Sequence, residues 1–397
     1  MVFFIFEKKE HFFMNFKSFF FLFLLVASYS CKSESEKIAE SSAARKALID
    51  STIDQFQRKL LSQQIDSIFS KYRFNGSVAI LKNKEVIYQK ENGFENFETR
   101  KKLDSSSVFP IASISKQFTA AMIMIQQEAG TLSTEDEVSK YLKSFQSPEF
   151  NNITIQQLLN HTSGISDFGN GLLAKPGKEF HYSNKGFRLL GEVLEKVSGK
   201  TYDENLRDLF KKAGMTNSFS ADHLASKNFA GAYTGNAAVF QKVDHMPQRL
   251  AQSAISVPAG GILSTVGDLN RWNQALYNGK ILNLKSLRDF GSKSADRNHP
   301  IFGKMDYGYG IMMNPGKPNA YFHSGYVKGA PALNVYYPDT KTSVIILSNI
   351  AEETRGKNSI FNPHREIKAF TDALQMAIVQ LHTEMVKPVK QAENNNN

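Results

Sequence analysis

The sequence predicts an α+β fold in which an antiparallel sheet is flanked by N- and C-terminal helices and carries an inserted, mostly helical second subdomain. Three observations carry this expectation. Apolar residues recur at helical spacing near both ends of the globular stretch. Two β-rich runs with hairpin spacing follow the first helix. Four further strand-like runs cluster late, after a long middle segment with little strand character.

From Ala44 to Tyr72, residues such as Leu48, Phe56, Ile65 and Phe69 repeat at helical spacing, which predicts an amphipathic helix. "GSVAILKNKEVIYQKENGFEN" then reads as a hairpin around Lys82, Asn83 and Lys84. "FPIASISKQFTAAMIMIQQEAG", Phe109 to Gly130, predicts a helix capped at its C-terminus by Gly130. From about residue 132 to 254, pieces such as "ITIQQLLN" and "FRLLGEVLEKVSG" alternate with Gly, Ser and Asn loops and form the helical insertion. Strand character returns in "YGYGIMMN", "NAYFHSGY", "APALNVYYPD" and "KTSVIILSNI", and a helix from Pro363 to Leu381 closes the fold. One domain over 46–386 follows, with its α/β part at about 46–131 and 255–386. Residues 387–397, ending in "ENNNN", read as a disordered tail.

The chain has 397 residues, 41% of them hydrophobic, which is enough for a sizeable core. Residues 1–31 read as a signal peptide: Lys17 precedes a short apolar run, Phe19 to Ala27, that is too short to span a bilayer. Met14 opens this pattern more naturally than Met1, which would make the first thirteen residues an upstream extension. Ser28, Ser30 and the single cysteine, Cys31, resemble a bacterial lipoprotein box, although Ser28 stands where such boxes usually carry an aliphatic residue. The resemblance implies lipidation at Cys31 and a protein anchored in the cell envelope, periplasmic or surface-exposed. An ordinary signal peptide with an incidental cysteine is the alternative. "KSESEKIAESSAARK" then reads as a flexible tether over 32–45. The net charge of +10 is spread among interleaved acidic residues, without a phosphate loop, zinc spacing or nucleic-acid motif. No nucleic acid, metal or cofactor is expected, and the protein is expected to be a monomer.

Three constellations carry chemistry. Ser113 is the only serine with a lysine three residues later, Lys116. On a helix the two share a face, where an amine could take the proton of a hydroxyl nucleophile. The same Ser113 and Ser115 also suit a plain helix N-cap. In "FHYSNKGF", Tyr182 could shuttle a proton and Asn184 could bind an amide, or the stretch could be an ordinary turn. In "YFHSGYVKG", His323, Ser324 and Gly325 end a strand whose edge offers backbone N–H groups to an oxyanion, with Gly325 allowing close approach of a substrate. A structural histidine is the alternative there.

With these three in this order, and with "LLNHTSGI", "LLGEVLEKVSGKTYDENL" and "PAGGILSTVGDLNRW" beside them, the chain resembles the serine β-lactamase and penicillin-binding protein superfamily, most closely its class C-like and esterase-like branch, over about residues 46–382. The resemblance implies a β-lactamase/transpeptidase-like fold. It makes Ser113 the acylated nucleophile, Lys116 its proton acceptor and Tyr182 their partner. Asn184, His323, Ser324 and Gly325 would bind substrate, and the N–H groups of Ser113 and Tyr326 would form the oxyanion hole. His161, Gly260 and Gly261 would be scaffold. The implied function is acyl-enzyme hydrolysis of an amide or ester, in a small-molecule or peptidoglycan-derived substrate; a non-catalytic penicillin- or peptidoglycan-binding lipoprotein is the rival. His323 stands where many relatives have a lysine that binds a substrate carboxylate. A mostly neutral imidazole there favours an esterase or D-amino-acid peptidase over an efficient β-lactamase. "KGAPAL" also departs from the relatives' pattern beside the acyl group.

Overall fold

The structure is a computed structural model and describes residues 33–250, 254–356 and 358–385. The chain divides into two units, Met1–Ile53 and Asp54–Asn397. The expected signal segment with Met14 and Cys31 lies outside the described residues, as does the tail 387–397. Helix α1 (Glu34–Tyr72) runs through the division. The flexible tether expected over 32–45 is not what forms there: residues 34–45 are the first turns of α1. Glu and Ala dominate them, and polar residues that mark a solvated linker are also good helix formers.

Arg73, in the left-handed region at φ 48°, ends α1. The chain then enters β1 (Gly76–Lys82) and β2 (Glu85–Asn92), joined through Asn83 at φ 56°, a conformation asparagine tolerates in tight turns. The longer helices that follow are α2 (Ser115–Glu128), α3 (Asn184–Ser198), α4 (Tyr202–Ala213), α5 (Val266–Tyr277) and α6 (Asn362–Met385). The late strands are β3 (Ala295–His299), β4 (Gly303–Tyr307), β5 (Met312–Met313), β6 (Tyr321–Val327), β7 (Ala330–Tyr337) and β8 (Thr342–Ser348).

These strands form one antiparallel sheet in the order β3-β4-β5-β6-β7-β8-β1-β2. The early hairpin joins the late strands through β1 and β8, with Val78 opposite Ile346. Strands β7 and β8 are buried along their whole length because helices cover both faces. On one face Asn273 of α5 donates to Asn334 Oδ1 at 2.9 Å. On the other, Tyr337 of β7 donates to Asp372 of α6 at 2.7 Å. Residues 54–72 of α1 join α6 there through Lys71 and Glu366, 2.7 Å apart. The inserted segment 132–254 holds α3 and α4 but also short strands, of which Tyr233–Gly235 pairs in parallel with Ile350–Ala351.

Two features of this frame place the site. Strand β5 pairs only with Tyr321 and Phe322 of β6, which leaves the β6 edge from His323 onward without a strand neighbour on that side. The turn that leads into α2 lies against this edge, with Ile111 and Ala112 facing Gly325, and α2 itself is buried from Ser115 to Met124. Its position is set by Phe118 stacked on Trp272 of α5 at 4.1 Å and by Trp272 Nε1 donating to Gln117 Oε1 at 3.1 Å. Trp272→Ala leaves a cavity beneath α2 and is expected to lower unfolding stability by about 3–5 kcal/mol, measured by urea denaturation. A loss below 1 kcal/mol would mean that α2 is held elsewhere.

Candidate active site

Ser113 sits in a 3₁₀ turn, Ala112–Ile114, that leads into α2. Neither serine caps the helix with its side chain, as the cap reading expected. Ser115 Oγ instead accepts from Ile262 N at 3.1 Å and ties α2 to the short strand Ile262–Ser264. Ala112 holds φ 45°, a left-handed conformation that a Cβ makes costly. The strain sits on the residue before the candidate nucleophile.

Gly325 explains how β6 comes so near this turn. A Cβ at Gly325 would lie 2.1 Å from the Ile111 carbonyl oxygen and 3.1 Å from Ala112 Cβ. The absence of a Cβ at position 325 is thus what admits the backbone of the nucleophile turn.

Lys116 is fully buried. Its Nζ lies 3.3 Å from Ser113 Oγ, 2.8 Å from Asn184 Oδ1 and 2.6 Å from the Ala259 carbonyl oxygen. Burial pushes the amine below its ordinary range; Tyr182 and Asp167 pull the other way, and Arg297 adds to the lowering. A neutral amine has two hydrogens and one lone pair. In that form the two carbonyl oxygens can take the hydrogens, which leaves the lone pair for the Ser113 hydroxyl.

The loop carrying Tyr182 and Asn184 is organised by Asp167, which the sequence reading missed. Its carboxylate accepts from Ser183 Oγ at 2.8 Å, Asn184 N at 3.1 Å and Lys185 N at 2.9 Å, at the start of α3, where unpaired amides favour an anion. Asn184, expected to bind a substrate amide, already gives Oδ1 to Lys116 and Nδ2 to Asp167 at 3.3 Å. The Tyr182 ring lies 4.8 Å from Lys116 Nζ.

His323 is 1% exposed. Burial, then Arg297 and Lys116, hold its imidazole well below the ordinary histidine range. The positive charge absent from position 323 is supplied by Arg297 on β3, a second residue missed in the sequence. Its guanidinium lies 4.6 Å from the Tyr182 ring, 5.5 Å from Phe180 and 5.7 Å from Tyr307. Among the described residues no carboxylate pairs with it. Two residues along the same face of β3, burial and then Arg297 push His299 down to about 3, and its Nε2 lies 3.5 Å from Ser324 Oγ. "ADRNH" shows no apolar alternation, so nothing in the sequence marked this strand.

A cavity of about 870 Å³ joins these groups. Ser113, Tyr182, Asn184, His323, Ser324 and Tyr326 line it with Arg297 and His299, and Ile301, Ile360 and Phe361 form an apolar wall. Lys116 lies behind Ser113, and Gly325 faces the nucleophile turn. The description "Beta-lactamase" belongs to the family model that matches residues 49–361. The chain belongs to this family. It is 28% identical to penicillin-binding protein 4* of Bacillus subtilis (strain 168) over 79% of this chain and 76% of that protein. It is 25% identical to a penicillin-binding protein named PbpX, assigned as putative, of the same organism, over 83% of each. Among solved structures, the octameric penicillin-binding protein homologue from Pyrococcus abyssi superposes with a TM-score of 0.66 at 26% identity, covering 78% of each chain.

Within this family frame the turn and the strand edge must keep their spacing for any chemistry at Ser113. Gly325→Ala forces the Ile111 carbonyl away, and a shift of about 1 Å at the nucleophile is expected to slow acylation by about 100-fold. The rate of covalent labelling by a fluorophosphonate measures it. A rate within threefold of the parent would show that the close approach is immaterial.

Proposed function

We propose that the protein is a serine hydrolase that forms an acyl-enzyme on Ser113 and releases it to water, acting on an amide or ester with a carboxylate near the bond cleaved. A peptide ending in a D-amino acid has this chemistry. The observation that carries the reading is a serine hydroxyl 3.3 Å from the nitrogen of a buried lysine whose other acceptors are carbonyl oxygens. Neutral Lys116 takes the Ser113 proton as Oγ attacks the substrate carbonyl. Amides of Ser113 and Tyr326 are assigned to the developing oxyanion. Lys116 hands that proton by way of the Tyr182 hydroxyl to the leaving group; water then attacks the ester on Ser113, gives one proton to the same pair, and Ser113 Oγ recovers it as the acid departs. Arg297, cationic and without a carboxylate partner among the described residues, is assigned to the substrate carboxylate, with the Ser324 hydroxyl lining the same cavity. We further assign the protein to the cell envelope, lipid-anchored through Cys31; a Cys31→Ser variant is expected in the soluble fraction, and its retention on membranes would refute lipidation.

A fluorescent penicillin or a fluorophosphonate is expected to label the protein covalently and to leave Ser113→Ala unlabelled. Equal labelling of both would remove Ser113 from its role. With a D-Ala-D-Ala peptide, a cephalosporin and a short-chain ester compared, Arg297→Gln is expected to raise KM for the carboxylate-bearing peptide by about 10- to 100-fold, the worth of a charged hydrogen bond. A smaller increase for the peptide than for the neutral ester would take the carboxylate away from Arg297.

A further inference from the structure

Four hydrogen bonds cross the site from the Tyr182 loop to β6. Ser183 N lies 3.1 Å from His161 Nδ1, and His161 Nε2 lies 3.2 Å from the Tyr307 hydroxyl. That hydroxyl lies 3.1 Å from His323 Nε2, and His323 Nδ1 lies 2.6 Å from the Ser324 carbonyl oxygen. Both ends of the chain have fixed polarity, because a backbone N–H only donates and a carbonyl only accepts. His161 Nδ1 is therefore bare and its Nε2 carries the hydrogen, which it donates to the Tyr307 oxygen. Tyr307 donates its own hydrogen to His323 Nε2, and His323 Nδ1–H donates to Ser324. Every donor meets one acceptor.

We propose that His161 and Tyr307 are positioning residues that hold His323 as a neutral imidazole in a single tautomer, so that the substrate-facing charge of the cleft rests on Arg297. A proton added at His323 Nε2 would face the Tyr307 oxygen, which already accepts from His161. The Tyr307 hydrogen would then have to leave its partner inside a fully buried side chain. Arg297 and His299 from β3 oppose that proton as well, as does Lys116 from α2 when it carries a charge, while the Ser324 carbonyl favours it. Tyr307 from β4 and, through its hydroxyl, His161 complete the surroundings. The charge assigned to Arg297 rests on the hydrolase reading; the proton positions do not.

Long-range ¹H–¹⁵N spectra of the histidines in the full chain, from pH 8 to 5, test this. His323 is expected to carry its hydrogen on Nδ1 and His161 on Nε2, and neither to gain a second one. His323 protonated on Nε2, or doubly protonated in this range, overturns the proposal. In Tyr307→Phe, the His323 Nε2 signal is expected to move to that of a lone pair without a donor, and Ser113 labelling to slow about 10-fold; unchanged signals from both histidines overturn it. Below the Lys116 titration the logarithm of the labelling rate should fall with a slope of one, since Lys116 alone titrates, and a slope of two overturns the neutral His323. If even the unsubstituted protein takes no label, the hydrolase reading fails, and the spectra still decide the proton positions.

Discussion

The site depends on one buried nitrogen. Lys116 is fully buried, and the hydrogen-bonding neighbours of its Nζ are a hydroxyl and two carbonyl oxygens rather than a carboxylate. Those neighbours come from distant stretches of the chain: Ser113 from the turn before α2, Asn184 from the start of α3, and Ala259 from the short helix Val257–Gly260. The fold has to bring three elements to one amine. Thr119, one turn along α2 from Lys116, fastens α2 to the same short helix and to α4, since its hydroxyl lies 2.8 Å from the Pro258 carbonyl and 2.6 Å from the Tyr202 hydroxyl of α4. Polar bonds inside an otherwise apolar helix interface thus hold the base in place, and the low dielectric that depresses the lysine also strengthens those bonds.

The sheet supplies the second constraint. Because β5 is only two residues long, β6 keeps a free edge next to Ser113, and Gly325 lets that edge approach the Ile111 carbonyl. Ala112 takes the conformational strain of the turn and Gly325 removes the steric bulk opposite it. Either feature alone would leave the nucleophile and the strand edge at the wrong separation. This is why a glycine that seems to serve the substrate serves the scaffold first.

Ser113, Lys116, Tyr182, Asn184, His323 and Ser324 were legible because each sits in a short motif whose residue types carry chemistry, and the motifs come in a fixed order. The sheet was legible too, since β1, β2 and β6 to β8 are apolar or alternating runs. Arg297, Asp167 and Tyr307 were not. Arg297 lies on an outer strand whose residues alternate between half-buried and exposed without an apolar signal, and an isolated arginine in a basic chain has no mark of function. Asp167 acts through one hydroxyl and two backbone amides that lie 16 to 18 residues away in sequence, a relation only the fold reveals. The tether failed for a different reason. Low hydrophobicity describes both a disordered linker and a solvated helix, and residues 34–45 continue into the amphipathic part of α1 without a breaker.

The charges of the cleft follow one rule, which joins these missed residues to the motifs. His161, His299 and His323 are all pushed down by burial, and Arg297 adds to the effect on each. A guanidinium stays charged where an imidazole or a buried amine does not, because its charge is delocalised and weakly hydrated. The rings of Phe180, Tyr182 and Tyr307 shelter it through their negative faces without cancelling its charge, as a carboxylate would. Burial is thus the larger cause and the one permanent cation adds to it, lowering Lys116 and the imidazoles whose hydrogen bonds fix the loop and strand around it. A lysine in place of His323 would put a second cation beside Arg297 and Lys116, against the same field. The histidine at 323 is thus the consequence of the arginine at 297, and the two positions have to be read as one electrostatic unit.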